Sequence, residues 1–149
     1  MFGSPRSAAG AYAKIGLETG ALAASPHKLI SMLFEGAMIA IVNARKHMEA
    51  KEVEAKGAAI SKAITIIDSG LRASLNLQEG GDVAQNMHAL YGYMTERLQL
   101  AHLKNDPTVL KEVYVLLNDL RTAWDAIAPE ANKTGQSGMG IASLNAVKA

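Results

Sequence analysis

From Ser25 onward, apolar residues return every three or four positions in four successive stretches, the spacing of one face of an α-helix. Ser25 and Pro26 open the first: the serine hydroxyl suits an N-cap, and proline suits the first helical position. That helix runs to about Glu49, with Leu29, Ile30, Leu33, Ala37, Ala40, Ile41, Ala44 and Met48 on one side. A second is predicted from about Ala58 to Asn76, marked by Ile60, Ile64, Ile67, Leu71 and Leu75. Glu79-Gly80-Gly81-Asp82 then breaks the pattern, with Asp82 as the next cap. The third helix runs from Val83 to about Lys104 through Met87, Leu90, Met94, Leu98 and Ala101. Asn105-Asp106-Pro107 repeats the cap-then-proline device, and the fourth follows through Leu110, Val113, Leu117, Leu120, Trp124 and Ile127 until Pro129 closes it.

No strand alternation competes with this pattern, and short links make neighbouring helices antiparallel. The predicted fold is therefore all-α, an antiparallel up-down four-helix bundle over residues 25–128. Residues 1–24 form an N-terminal segment whose apolar cluster (Tyr12, Ile15, Leu17, Leu22) is expected to pack on the bundle. Residues 129–149, rich in Gly and Ala, read as a mobile tail.

Several helices carry more apolar surface than one core face requires. On the first, Met32 and Ile39 extend the stripe on one edge and Phe34 on the other, giving an arc of roughly 200° where about 100° suffices. Met38 and Val42 fall further round, among the charges. On the third, Tyr93, Leu100 and Leu103 form a second line away from the core stripe, and Ile66 and Leu77 fall off the stripe of the second. Single exposed apolar residues mean little, whereas aligned rows suit grooves that accept a partner's amphipathic helix. Met32, Phe34, Ile39, Ile66, Tyr93, Leu100 and Leu103 are the candidate groove-lining residues.

Composition narrows the function by exclusion. The net charge is +1, with acids and bases interspersed, so nothing forms the basic patch that nucleic acid requires. With no cysteine there are no disulfides, thiolate metal sites or cysteine nucleophiles. The first ten residues lack the apolar run of a signal peptide, and no apolar stretch reads as a membrane span, so a cytosolic protein is expected. None of His27, His47, His88 and His102 has a Glu three residues before it, so the pattern of carboxylate-bridged metal bundles is absent. No catalytic residues, metal site or cofactor are predicted.

The stretch "ASPHKLISMLFEGAMIAI" at residues 24–41 resembles the signature of the flagellar secretion chaperone family, FliS. The likeness continues through "ISKAITIIDSGLRASLN", "GGDVAQNMHALYGYMTERLQLAHLKND" and "EVYVLLNDLRTAW", collinear over residues 12–127. That resemblance implies a bacterial cytosolic chaperone whose bundle binds the disordered C-terminal segment of flagellin. The client becomes helical as it wraps the bundle, is kept from polymerising and is delivered to the flagellar export apparatus. It implies also that the N-terminal segment, with Tyr12, Ile15 and Leu17, occupies part of the hydrophobic surface until client displaces it. Phe34-Glu35 (often Tyr-Asp in the family), Gly92 and the long tail depart from the pattern. Other flagellar regulators are candidate partners. The competing readings are a self-associating bundle, open to weak homodimerisation, and a cofactor bundle built on His88 or His102.

Overall fold

The computed structural model describes residues 25–127. Among them lie four helices: α1 (Pro26–Glu49), α2 (Val53–Thr65) continued without a break by a π-helical segment (Ile66–Arg72), α3 (Leu77–Lys104) and α4 (Pro107–Asp125). The N-terminal segment and the tail lie outside the described residues.

The helix ends follow their local chemistry. Ser25 Oγ accepts from the Lys28 amide at 3.1 Å, capping α1 with Pro26 in its first turn. Asp106 Oδ1 accepts from the Thr108 amide at 3.0 Å and so caps α4. Asn105 (φ 50°) ends α3 in the left-handed conformation that asparagine tolerates.

The helices form a ring in which α1 borders α2 and α4, α3 borders α2 and α4, and the α1/α3 and α2/α4 pairs are diagonal. Cross-contacts establish that neighbours are antiparallel. Near the start of α1, Ser31 Oγ donates to Asp125 Oδ1 at the end of α4 (2.8 Å), and Trp124 Nε1 donates to the His27 carbonyl (2.9 Å). The His27 and Trp124 rings stack with centroids 4.6 Å apart. Lys56 of α2 meets His102 and Asn105 at the end of α3, while Arg72 meets His88 near its start. Leu33, Ala37, Ile67, Met94, Leu98, Leu110, Val113 and Leu117 fill the core.

Three boundaries differ from expectation. The second helix starts five residues early, at Val53, because Gly57 does not break it; the glycine sits against the His102 ring, 3.4 Å from where a Cβ would stand. Leu77 is the first residue of α3, whose N-cap is Asn76: the Asn76 Oδ1 accepts from the Glu79 amide at 3.0 Å, and its Nδ2 donates to Glu79 Oε2 at 2.9 Å. The Gly80-Gly81 pair makes a kink within α3, at Gly81 (φ 58°, ψ −138°), where a chiral residue would be strained.

The π segment explains a misplaced side chain. Its i→i+5 bonding widens the turn, so Ile66, Ile67, Gly70 and Leu71 all face inward. A 3.6-residue wheel puts Ile66 off the stripe, whereas in the structure it is fully buried. Gly70 is needed there for close approach, since a Cβ would stand 2.9 Å from Leu33 Cδ2, on a fully buried side chain.

One expectation about α1 needs correcting too. With 24 residues and a mean hydropathy of 1.2 over its most apolar window, it is long and apolar enough to cross a membrane by length and composition alone. The bundle accounts for that character: 56% of the window is buried inside the protein. Met38, expected among the charges, is buried as well.

Candidate functional site

A groove runs between α1 and α4, made of two adjoining hollows of about 340 and 330 Å³. Both fall near the small end of the 300–1,000 Å³ typical of binding clefts. Ile41, Val42, Leu110, Tyr114 and Val115 line the first with Arg45 and Lys111; Val42 and Tyr114 continue into the second beside Met38 and Ile39. Glu35, Lys46 and Arg121 complete the rim.

The floor is apolar because α1 and α4 each carry aliphatic residues beyond their core faces. Leu33, Ala37 and Ile41 point inward from α1, and Leu110, Val113 and Leu117 from α4. Ile39 (59% exposed), Val42 (41%) and Val115 (45%) are left facing water. Three large aliphatic side chains on one seam are a contiguous patch, which monomeric surfaces seldom leave uncovered without a use.

A second apolar row lies on α3. Leu103 is 78% exposed, Leu100 is half-buried and Tyr93 is exposed. Tyr93 is tied to α4: its hydroxyl donates to Glu112 Oε2, and Arg97 Nε donates to Glu112 Oε1 at 2.8 Å. The Arg97 guanidinium lies 5.8 Å from the Tyr93 ring centroid. The hydrogen bond from Tyr93, followed by that from Arg97, holds the Glu112 carboxyl below its usual range. The same bond to Glu112 raises the Tyr93 phenol, against the opposing pull of Arg97.

The predicted residues thus separate. Ile39 lines the α1/α4 groove. Tyr93, Leu100 and Leu103 lie on α3, diagonal to α1, so the structure does not bring them to the same groove. Met32 is half-buried against the core. Phe34 and Ile66 correct the expectation: they are 2% and 0% exposed and belong to the core, Phe34 because α1 is contacted from two sides and Ile66 because of the π turn. Tyr12, Ile15 and Leu17 lie outside the described residues. Tyr114 and Val115 were missed, although "VYVLL" at 113–117 is apolar on every side and signals a helix with a second seam.

The polar clusters serve the scaffold. Arg72 Nε donates to His88 Nε2 at 3.1 Å, and Arg72 Nη1 bonds Asp68 at 3.1 Å, with the guanidinium lying over Gly92. That close approach accounts for a glycine within α3. His47 pairs with Glu52 at 2.7 Å across the α1–α2 link. Among the described residues no three His, Asp or Glu side chains converge as metal ligands.

The family model described as "Flagellar protein FliS" matches residues 8–131. The flagellar secretion chaperone FliS of Salmonella typhimurium is 48% identical over 122 residues, covering 82% of this chain and 90% of that protein. The Escherichia coli protein of the same name is 42% identical over 114 residues (76% and 84%), and the Bacillus subtilis one 32% over 119 (80% and 87%). These are chaperones rather than enzymes. Over most of its length, and in a helical bundle with uncovered apolar seams, this chain belongs to the FliS family of flagellar secretion chaperones.

Proposed function

We propose that this flagellar secretion chaperone works in the bacterial cytoplasm by holding the disordered C-terminal segment of flagellin on its apolar seams. So held, flagellin is kept from premature polymerisation until it is handed to the flagellar export apparatus. The observation that carries this reading is the α1/α4 groove, where Ile39, Val42, Tyr114 and Val115 stay accessible beside a complete core. An amphipathic helix laid between two helices buries such a floor along i, i+3, i+4 and i+7 positions.

Magnitudes favour an extended client. Fully burying a Val or Ile side chain is worth about 1.5–3 kcal/mol. Ile39, Val42 and Val115 keep roughly half their surface to cover, so each offers about 1 kcal/mol on contact. Association alone costs an estimated 4–15 kcal/mol, and ordering a disordered segment adds to it. One groove is marginal against that cost. A client that continues across α4 to Tyr93, Leu100 and Leu103 adds the missing area, and in this reading α3 supplies the second surface. The segment around Tyr12, Ile15 and Leu17 covers part of the seam until client displaces it.

The test is calorimetric titration with about the last forty residues of flagellin from the same organism, with helicity followed by circular dichroism. Saturable binding with negative heat-capacity change and gained helix is expected. Absence of binding by the folded protein overturns the proposal, and mass rising with concentration without client favours the self-associating bundle.

A further inference from the structure

The α1/α4 groove has unlike ends. Because α1 and α4 are antiparallel, Arg45 and Lys46 near the end of α1 stand beside Lys111 near the start of α4. Arg45 is paired with Glu49 at 3.2 Å, whereas Lys46 and Lys111 have no ionic partner among the described residues. Asp106, at the same end, caps α4 and feels Arg97 of α3. Three cations against Glu49 leave this end of the groove two charges positive. At the other end Arg121, 3.8 Å from Asp125, and the exposed Lys28 offset Glu35 and Asp125, which leaves that end neutral and the gradient set by the cations opposite.

We propose that this gradient makes the groove directional: it takes an amphipathic helix whose C-terminal end carries the negative charge and lies toward Arg45, Lys46 and Lys111. The inference rests on the client reading above and names the orientation of that client. The segment would run parallel to α1 and antiparallel to α4. The dipoles of α1 and α4 oppose one another and cancel to first order, so the rim side chains decide. A docked helix brings about half a negative charge to its C-terminal end, more where it carries acidic residues or the chain's own carboxylate. Glu35 and Lys46 are separated by eleven positions, about 16 Å of helix at 1.5 Å per residue, so the gradient acts on roughly three client turns. Rim charges of this kind govern partner choice, register and encounter rate more than total affinity.

The chain has no cysteine, so single labels are introduced cleanly. Exposed Lys28→Cys and Ala50→Cys flank the groove about 33 Å apart along α1. A nitroxide at each is read by broadening of amides in the isotope-labelled C-terminal flagellin segment bound to the full chain. The expected result is that amides broadened from position 50 lie C-terminal to those broadened from position 28. Reverse order, indistinguishable patterns, or no broadening from either label while the segment binds overturns the orientation. Failure of the segment to bind the unlabelled protein overturns the client reading instead. In parallel, Lys46→Glu with Lys111→Glu is expected to weaken binding on the order of tenfold at low salt, converging on wild type at high ionic strength. Equal affinity at low salt overturns the electrostatic assignment. So does a dimer of the free protein that Val115→Asp dissociates, which would give the groove to a second copy.

Discussion

Placing carboxylates on the groove floor separates binding from folding. In Ile39→Asp with Val115→Asp, both side chains are replaced where 59% and 45% of their surface already meets water. Exposed substitutions away from special features usually change stability by no more than about 0.5 kcal/mol each. The double variant is expected to keep its helical content and cooperative melt. Binding loses about 1 kcal/mol of burial at each site. It must also strip water from two carboxylates or leave the seam open, which adds to the loss. A total of at least about 2 kcal/mol corresponds to roughly thirtyfold weaker binding. Titration calorimetry with the flagellin segment reads the affinity, and thermal melts followed by circular dichroism report the fold. Unchanged affinity with unchanged folding would refute the assignment of this seam. A collapsed melt would show instead that these side chains support the core.

The α3 row has its own test: Leu100→Asp with Leu103→Asp should abolish or strongly weaken client binding with the melt retained, and unfolding would place those side chains in the core. Deleting Met1–Ala24 is expected to leave the bundle folded and binding undiminished; weaker binding in the same titration would make that segment part of the site. Lys56, 3% exposed, donates to the His102 carbonyl at 3.1 Å and to Asn105 Oδ1, so its ammonium sits at the negative end of α3. Lys56→Met leaves those acceptors without their donor and should destabilise by about 1–3 kcal/mol, lowering the melting temperature by several degrees; an unchanged melt counts against the cap. Asp106, through its bonds from Thr108, and Glu112, chiefly through the Tyr93 bond, have carboxyl pKa values depressed by folding. The unfolded chain takes up those protons first, so their contribution is complete above the usual carboxylate range and lost as pH falls through the depressed values. Melts across acid pH should show Glu112→Gln losing less stability than wild type, and parallel curves would refute the link.

The features read correctly from sequence are those in which local chemistry and burial agree. Ser25-Pro26 and Asp106-Pro107 give α1 and α4 their starts, and the core stripes on α1 and α4 match the burial of Leu33, Ala37, Ile41, Leu110, Val113 and Leu117. Errors arise where one local rule yields to another. The interruption expected at the glycine pair does fall at Gly81, whose φ/ψ are non-helical, but Asn76 caps an added turn ahead of it that apolar spacing alone assigns to the second helix. Ile66 is misplaced because i→i+5 bonding cannot be seen in a wheel drawn at a fixed angle. Of the groove residues, Ile39 was legible because it lies well off the α1 stripe. Tyr114 and Val115 carry a signal as well, the unbroken apolar run at 113–117, but the clean core stripe of α4 masks the surplus beside it. Phe34 shows the converse: a wide arc on α1 is partly ordinary core, since α1 packs against both α2 and α4.

The character of α1 follows from serving both the core and a seam. A helix that must bury Leu29, Leu33, Ala37 and Ile41 and still present Ile39 and Val42 becomes apolar enough to match a membrane span in composition. An uncovered aliphatic seam carries a risk of self-association. The rim limits it: Glu35, Arg45, Lys46, Lys111 and Arg121 interrupt the patch with charge on both sides of the floor. Those side chains keep their hydration when the groove is empty, and their long stems can cover an apolar client when it is full. Removing the rim charge would therefore be expected to raise non-specific association even as it loosens the hold on a correctly oriented client. Two functions in one set of residues explain how the groove stays open among the described residues.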